Sequence, residues 1–346
     1  MDFGFLFDNI VELTITGLVL GSVYALIALG YTLVYGVLQL INFAHADVFM
    51  WGTFAVAWLF ILLGVDASGT LLEAAPYLLL ALVVAASTSG GLAMIVERVA
   101  YRRLVRKRAL SYIVLISAIG ASFVLAETMG IRDRIVAAVE GLINTIIGIF
   151  GGRIDLVEGL ADYIANPRGP MRLAFEIRPT TVFQIGDYNV RDTDLVIILA
   201  AVIMMAGLDL FIRRTRLGRE IRAVAQDPEA AALMGANSTS VVSKTFLIGG
   251  IMAGVAAVLY MIKTGQTGFD LGVILGLKAF TAAVLGGIGN LRGALLGGLL
   301  LGITENYGSA LFGTQWKDVV AFVLLVLVLL VRPTGLLGQT LGRARA

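Results

Sequence analysis

The sequence has no cysteine and a single histidine among its 346 residues. The absence of cysteine excludes disulfides and metal sites built on thiolates. His45 has neither a second histidine nor a nearby group of three carboxylates, which argues against a metal centre. The chain also has no Walker A sequence, so no ATP-hydrolysing site is visible. We therefore expect neither a metal nor a cofactor.

Charge is scarce as well, since only 14% of the residues are charged and 58% are hydrophobic. A soluble domain carries about 25% charged residues. The net charge of +2 is too small to suggest a nucleic-acid partner. Apolar runs of about 20 residues recur, which is the helix length that crosses a bilayer core of roughly 30 Å. The composition predicts an all-α, polytopic bundle of transmembrane helices.

Hydropathy predicts about nine membrane spans. The alternatives are eight or ten, because a re-entrant or broken helix in the glycine-rich pair near the end changes the count. The third span is predicted to open on Pro76, a residue suited to a first helical turn. The predicted spans are 13–36, 44–64, 76–97, 110–130, 194–212, 243–262, 273–289, 294–312 and 317–331.

Three clusters of lysine and arginine set the expected orientation. They lie in residues 98–108, 213–222 and 332–345, after the third, fifth and ninth spans. Alternating crossings place all three clusters on one side, which the positive-inside rule makes cytoplasmic. We expect the N-terminus outside and the C-terminus inside. The first twelve residues carry no base, so we expect the first span to be retained rather than cleaved as a signal.

We expect one transmembrane domain, 1–346, with an unusual segment at 132–193. That segment mixes acids with bases and should lie on the outer side, in the periplasm or at the interface. Its apolar residues at helical spacing predict an amphipathic interfacial helix; they are Ile135, Val139, Leu142, Ile146 and Phe150. A second apolar-periodic piece follows at 154–164. The segment is either an insertion that packs on the membrane domain or a docking surface for an external partner.

Residues 213–241 form a loop on the predicted cytoplasmic side that contains a short capped helix. Asp227 is the expected N-cap, with Pro228 at the first helical position and Glu229 near the positive end of the dipole. Ala231 and Ala232 favour helix, and a C-cap is expected at Gly235. A short helix with a small-residue face suits docking into a partner's groove. The alternative is a loop helix resting on lipid headgroups.

Three ordered segments carry a resemblance to a known family. They are TRLG, RAVAQDPE and AALMG within residues 215–235, GSVYALIALGYTLVYG and INFAHAD within 21–47, and KAFTAAVLGGIGN at 278–290. Together they resemble the LivH-like branched-chain amino-acid permeases of ABC importers, over roughly 13–130 and 194–338. Two departures are Ala46, where the family usually has glycine, and a region 132–170 that looks longer than the family norm.

The resemblance implies a permease subunit of an ATP-binding-cassette importer in a bacterial-type inner membrane. It implies two cytoplasmic ATPase subunits, a second homologous permease subunit, and an extracytoplasmic binding protein that delivers branched-chain amino acids. The chain itself would not be an enzyme, since partners would hydrolyse ATP. Urea or short amides are the alternative substrates. The residues assigned to coupling with the ATPase are Arg222, Asp227, Pro228, Glu229, Ala231, Ala232 and Gly235.

Several polar residues in or beside the spans are candidates for a substrate pathway. Asn42, His45 and Asp47 come at the start of the second span, where a helix break is tolerated only against protein or a water-filled cavity. Thr281 and Asn290 flank the later glycine-rich break, and Glu305 is an intramembrane acid. The alternatives are that His45 is purely structural and that Glu305 reaches lipid headgroups.

Two other classes of function compete with the importer. An ion-coupled secondary transporter would use an acid such as Glu305 as a proton relay, but no clear inverted repeat is visible. An intramembrane enzyme would need a nucleophile–base pair or a metal cluster, and neither is visible in the sequence.

Overall fold

The computed structural model describes residues 3–65, 68–107, 109–147, 167–173, 175–186 and 188–338. Most of these residues are helical. The helices are α1 Phe3–Asp8, α2 Ile10–Leu38, α3 His45–Leu62, α4 Leu71–Val96, α5 Arg102–Arg106, α6 Ser111–Gly130, α7 Arg132–Ile147, α8 Asp192–Arg214, α9 Arg216–Gln226, α10 Pro228–Leu233, α11 Ser238–Thr264, α12 Leu271–Gly286, α13 Leu291–Phe312 and α14 Lys317–Val331. A π-helical turn, Glu97–Tyr101, joins α4 to α5, and a 3₁₀ turn, Thr314–Trp316, precedes α14.

Each of the nine predicted spans falls on a helix. Seven helical segments of the described chain are long and apolar enough to cross a membrane. They are Ile10–Leu38, His45–Leu62, Leu71–Arg106, Ser111–Gly130, Asp192–Arg214, Ser238–Thr264 and Thr314–Val331. Helix α12 is apolar but only 16 residues long. The count of nine crossings therefore stays a prediction.

The start of α4 differs from the sequence-based expectation. The helix begins at Leu71, and Pro76 lies inside it. Thr70 and Glu73 form a capping box, in which each side chain binds the other residue's backbone N–H. This reciprocal cap satisfies two of the free amides of the first turn. The capping box, rather than the proline, therefore decides where α4 begins.

Glycines bring the central helices into close contact. An added Cβ at Gly21 of α2 would lie 2.6 Å from the carbonyl oxygen of Gly298 in α13. One at Gly254 of α11 would lie 2.6 Å from the carbonyl oxygen of Ala85 in α4. Small residues allow this approach in lipid, where apolar burial gives helices little reason to associate. Gly17 and Gly21 of α2 thus serve packing, whereas Gly36 has no neighbour within 4 Å of an added Cβ.

Six short strands add a small β component that the sequence analysis did not predict. The strands are β1 Ser68–Thr70, β2 Met171–Arg172, β3 Glu176–Arg178, β4 Thr181–Ile185, β5 Tyr188–Arg191 and β6 Gln266–Thr267. They form three two-stranded sheets: β1 with β3 in parallel, β2 with β6 antiparallel, and the hairpin β4–β5. Strands this short have no readable periodicity in the sequence, and two of the three sheets form only through pairing of segments that lie far apart in the chain. They attach 171–191 to the ends of α3, α4 and α11.

The amphipathic helix expected in 132–193 is present as α7. Its apolar residues Ile135 and Val139 are 37% and 43% exposed, so other parts of the described chain leave these two side chains partly uncovered. Phe150 lies outside the described residues. The second apolar-periodic piece, 154–164, lies outside the described residues.

Candidate functional site

The segment between α8 and α11 folds back on the end of α8. The hydroxyl of Thr215 accepts a hydrogen bond from the Gly218 amide at 3.0 Å, which caps α9. Gly218 lies against the backbone of Ile212, where a side chain would collide. The guanidinium of Arg222 donates to the carbonyl of Ile212. Arg222, assigned to coupling from the sequence, therefore fixes α9 to α8.

Helix α10 is defined at both ends by side-chain or backbone caps. One carboxylate oxygen of Asp227 accepts hydrogen bonds from the amides of Glu229 and Ala230 at 2.9 and 3.0 Å. Pro228 occupies the first turn, where its missing N–H costs nothing. These contacts confirm the expected N-terminal cap.

The C-terminal end of α10 turns at Gly235, which has a φ of +88°. The amide of Ala236 donates to the carbonyl of Ala231, and the amide of Gly235 donates to that of Ala232, both at 3.0 Å. This is the Schellman arrangement, which satisfies the last carbonyls of a helix. The two caps make α10 a defined unit although it has only six residues.

The two faces of α10 differ sharply in exposure. Ala231 is buried against the protein, whereas Leu233 and Met234 are each 89% exposed. Sequence reasoning did not select these two residues as coupling residues. The available signal was their size, because they are the large apolar side chains at the end of an alanine-rich turn. An exposed apolar pair beside a fixed cap is typical of a surface that a partner covers.

A cluster of buried polar side chains surrounds the start of α3. Asn42, His45 and Asp47 are at most 3% exposed. The Tyr101 hydroxyl donates to the Asn42 side-chain oxygen at 3.0 Å. One carboxylate oxygen of Asp47 accepts a hydrogen bond from the hydroxyl of Ser122 in α6.

The first turn of α3 is enclosed by protein. The His45 imidazole meets the Tyr31 ring edge-to-face, with centroids 4.9 Å apart, and also lies against Gly30. Ala46 packs against Gly276 of α12, so a glycine on the facing helix accommodates the methyl by which the chain departs from the family pattern. The helix therefore begins against other helices, as a break within a membrane domain requires.

Some polar atoms of this interior have no hydrogen-bond partner among the residues that the structure describes. They include Nε2 of His45, Oδ1 of Asp47 and Oγ1 of Thr32. Buried polar atoms in proteins are nearly always paired, so such atoms are candidates for binding water or a ligand. The unpaired atoms of His45 and Asp47 belong to the same helical turn.

A second polar group lies between α12, α13 and α14. The ammonium of Lys278 lies 2.7 Å from Oε1 of Glu305 and 2.6 Å from the carboxylate of Asp318. Lys317 lies 3.4 Å from Glu305, and the Tyr24 hydroxyl donates to the same carboxylate at 3.3 Å. Glu305 is fully buried. It is thus held in an ion-pair network, and the alternative that it reaches headgroups is wrong.

The two remaining pathway candidates bind local backbone. The hydroxyl of Thr281 donates to the carbonyl of Leu277 in its own helix at 2.8 Å. Asn290 caps α13 by accepting from the amides of Arg292 and Gly293, and its NH₂ group donates to the carbonyl of Leu337 at 2.8 Å. The structure therefore groups Asn42 with His45 and Asp47, and Glu305 with Lys278, while Thr281 and Asn290 stand apart.

Residues 13–329 match the family model of the branched-chain amino acid transport system permease component. The chain belongs to this family. This permease is 41% identical over 327 residues to the high-affinity branched-chain amino acid transport system permease protein LivH of Escherichia coli K12, covering 93% of this chain and 94% of that protein. Identity to the permease protein BraD of Pseudomonas aeruginosa, a member of a system of the same description, is 39% over 328 residues and 94% of each chain.

A more distant similarity joins the permease to sugar importers. The fructose import permease protein FrcC of Rhizobium meliloti is 28% identical over 158 residues, which cover 42% of this chain and 44% of that protein. No solved structure matches the chain. The family match confirms the predicted resemblance, and with seven candidate membrane helices the permease is a multi-pass protein of the cell membrane.

Proposed function

We propose that this permease is the membrane-spanning subunit of an ABC importer that carries branched-chain amino acids delivered by an external binding protein. Helix α10 is the observation that carries the proposal. It is capped at both ends, anchored through Ala231, and presents Leu233 and Met234 outward. An apolar helix face laid into a groove is a common mode of protein recognition. We propose that α10 docks into a groove on a cytoplasmic ATPase subunit.

The proposed topology has nine crossings, with the N-terminus outside and the C-terminus inside. Helices α12 and α13 complete the seven candidate spans to nine. The basic clusters after α4, α8 and α14 support the orientation, because such clusters stay cytoplasmic. The loop 213–241 then faces the ATPases, and 132–193 lies on the outer side, where the exposed apolar residues of α7 rest at the membrane interface.

Movement of α10 can reach the membrane domain through two successive contacts, from α9 to α8 and from α8 to α13. Arg222 joins α9 to the last turn of α8 through the Ile212 carbonyl. Asp209 in that same helix accepts from Arg213 at 2.9 Å and from Arg292 of α13 at 3.1 Å. Helix α13 packs closely on α2 through Gly298 and Gly302. Closure of two ATPase subunits would thus shift α8 and α13 together, in this chain and in a second permease subunit.

The proposed substrate pathway passes the first turn of α3. A helix N-terminus inside a membrane domain favours an anionic group, and the substrate class has a carboxylate. Asp47 supplies a possible partner for the ammonium group of the same substrate through its unpaired oxygen. Separation of the helices that pack at Gly30 and Gly276 would expose the N-terminus of α3 and the Asp47 carboxylate to the substrate.

The coupling proposal is tested with purified permease and ATPase subunits. The double variant L233A/M234A should lose ATPase association and substrate-stimulated ATP hydrolysis by at least tenfold, because it removes the exposed apolar face of α10. The control is L72A, at an 84% exposed leucine of α4 distant along the chain. Unchanged ATPase association in the α10 variant would refute the coupling role.

Energy source and substrate need separate measurements. The rate of substrate uptake into vesicles should increase with the internal ATP concentration and should be unchanged by a protonophore. A protonophore would abolish uptake by an ion-coupled secondary transporter. Binding of leucine, isoleucine, valine, urea and acetamide to the cognate binding protein then decides the substrate. The identities of 39% and 41% to branched-chain amino acid permeases favour the amino acids; tight binding of urea or acetamide alone would overturn this choice.

A further inference from the structure

A basic pocket lies between the α4–α5 region and the first turns of α11. It has a volume of about 440 Å³. Its walls include four bases, Arg98, Arg102, Arg106 and Lys244, and the lining includes no carboxylate. None of these bases belongs to α10 or to the buried clusters described above. A concave surface of one charge sign favours a ligand of the opposite sign.

Three of the four bases have no acidic partner among the described residues. Arg102 is used internally, since it lies 2.5 Å from Glu97 and donates to the Ser243 hydroxyl at 2.9 Å. Arg98, Arg106 and Lys244 are exposed. Within the part of the chain that the structure describes, no carboxylate forms a salt bridge with any of these three. Their positive charge is available to a ligand.

The start of α11 adds hydrogen-bond donors to this charge. Asn237 caps the helix by accepting from the Ser240 amide at 3.1 Å, and both residues line the pocket. Thr239 and Ser240 line the pocket with their hydroxyl-bearing side chains, whereas the Ser243 hydroxyl is already engaged with Glu97, Arg102 and the carbonyl of Thr239. Helix α11 has 27 residues, so the positive end of its dipole adds to the field of the bases. Hydroxyl donors beside arginine and lysine are suited to phosphate oxygens.

One side of the pocket, at Met94, is apolar and adjoins exposed apolar side chains on the outer surface of the protein. Met94 lines the pocket, and its neighbours Ile95 and Val99 on the same helix are 58% and 76% exposed. Val83, nearer the N-terminus of α4, is 62% exposed. A soluble phosphate would make no use of such a surface. Acyl chains would cover it while an attached phosphate reached the bases.

We propose that this pocket binds the headgroup of an anionic phospholipid, with its acyl chains along the exposed face of α4. Basic pockets between membrane helices on the cytoplasmic side bind such headgroups, and this is the side that the basic clusters assign to the cytoplasm. The ligand should carry a phosphate, because the pocket has three bases without an acidic partner among the described residues and lies at the N-terminus of α11. It should also carry long apolar chains, because exposed apolar residues adjoin the pocket. A phospholipid has both.

The lipid would adjoin the coupling region. A second cavity, of about 290 Å³, shares Arg102, Arg106 and Thr239 with the pocket and is lined on its other side by Val224 and Pro228. A bound headgroup would therefore hold the α5 and α11 ends that enclose α9 and α10. This consequence rests on the proposed coupling role of α10, whereas lipid binding itself does not.

The test measures lipid binding to the purified full-length permease in detergent by native mass spectrometry, without ATPase subunits. Phosphatidylglycerol, phosphatidylcholine and inorganic phosphate are the probes. The double variant R98Q/K244Q should weaken phosphatidylglycerol binding roughly tenfold, since each base near the membrane surface adds to the attraction. The matched control, R103Q/K107Q, removes one arginine and one lysine that are exposed nearby but do not line the pocket.

Each outcome decides the proposal. Selective loss in R98Q/K244Q, with phosphatidylcholine binding unchanged, supports it. Equal loss in both double variants overturns it in favour of diffuse surface attraction. Saturable binding of inorganic phosphate that displaces the lipid overturns the headgroup assignment. Unchanged phosphatidylglycerol binding in R98Q/K244Q also overturns it, because the two bases would then contribute nothing to the site. The conservative variant R98K/K244R should retain lipid binding, which separates loss of charge from misfolding.

Discussion

The ammonium of Lys278 and the carboxylate of Glu305 face each other at 2.7 Å in the interior between α12 and α13. The two side chains are 7% and 0% exposed. Burying an isolated charge costs free energy because the charge loses its hydration, and the attraction within a close ion pair offsets much of that cost. The pair also reaches Asp318 and Lys317 at the start of α14. Three helices are therefore joined by charges that the substrate need not touch.

Removal of one partner of this pair should destabilise the permease more than removal of both. The variant K278M leaves the buried carboxylate of Glu305 with the more distant Lys317 and the Tyr24 hydroxyl, and it should lose about 3 kcal/mol of unfolding free energy. The variant K278M/E305L should recover most of that loss, because it leaves no buried charge without a partner; Lys317 and Asp318, which also lose a partner, are 28% and 61% exposed. Unfolding in detergent, analysed as a double-mutant cycle, measures both. Additive losses would show that the two residues act independently.

A methyl group at Gly298 should separate α13 from α2. The added Cβ would lie 2.6 Å from the Cβ of Ala25, so G298A forces the helices apart and should lose about 1–3 kcal/mol. The control is G91A in α4, where an added Cβ has no neighbour within 4 Å. Relief of glycine flexibility should leave that variant neutral or slightly more stable. Thermal unfolding compares the two, and equal melting temperatures would contradict the packing argument.

Loss of the Asp227 carboxylate should loosen α10. The variant D227A leaves the amides of Glu229 and Ala230 without their acceptor and should destabilise the helix by about 1 kcal/mol. The variant D227S keeps a capping oxygen and should retain most of the activity. Substrate-stimulated ATP hydrolysis of the assembled importer is the measurement. If D227S were as impaired as D227A, the carboxylate would have a role other than capping.

Glycine is required at position 235 because of the left-handed backbone conformation, not because a side chain would collide with a neighbour. Its φ of +88° is unfavourable for residues with a Cβ, although nothing lies within 4 Å of an added one. The variant G235V should cost about 1–2 kcal/mol and reduce transport, whereas G235N should be milder because asparagine tolerates left-handed backbone. Uptake at equal expression compares them. Equal uptake by G235V and the parent would remove Gly235 from the coupling unit.

The features of this fold that could be predicted from the sequence are those encoded in short stretches of consecutive residues. Asp227, Pro228 and Gly235 specify the ends of α10 within a few residues of chain, and the apolar runs locate every predicted span on a helix. The start of α4 was misplaced because a capping box competes with proline as a start signal. The strands of two sheets were missed because their partners lie far apart in the chain, as in Ser68 with Glu176. The local hairpin β4–β5 was missed as well.

Hydropathy, caps and motifs lie in consecutive residues, so the membrane location, the approximate positions of the helices and the resemblance to the family could be predicted from the amino-acid sequence. Which polar residues meet depends on the packing of the helices and is visible in the folded chain. The tertiary structure paired Lys278 with Glu305, placed Asp47 beside Ser122, turned Leu233 and Met234 outward, and gathered Arg98 and Lys244 around one pocket. Those relations depend on how helices distant in sequence pack against one another, which no local pattern encodes.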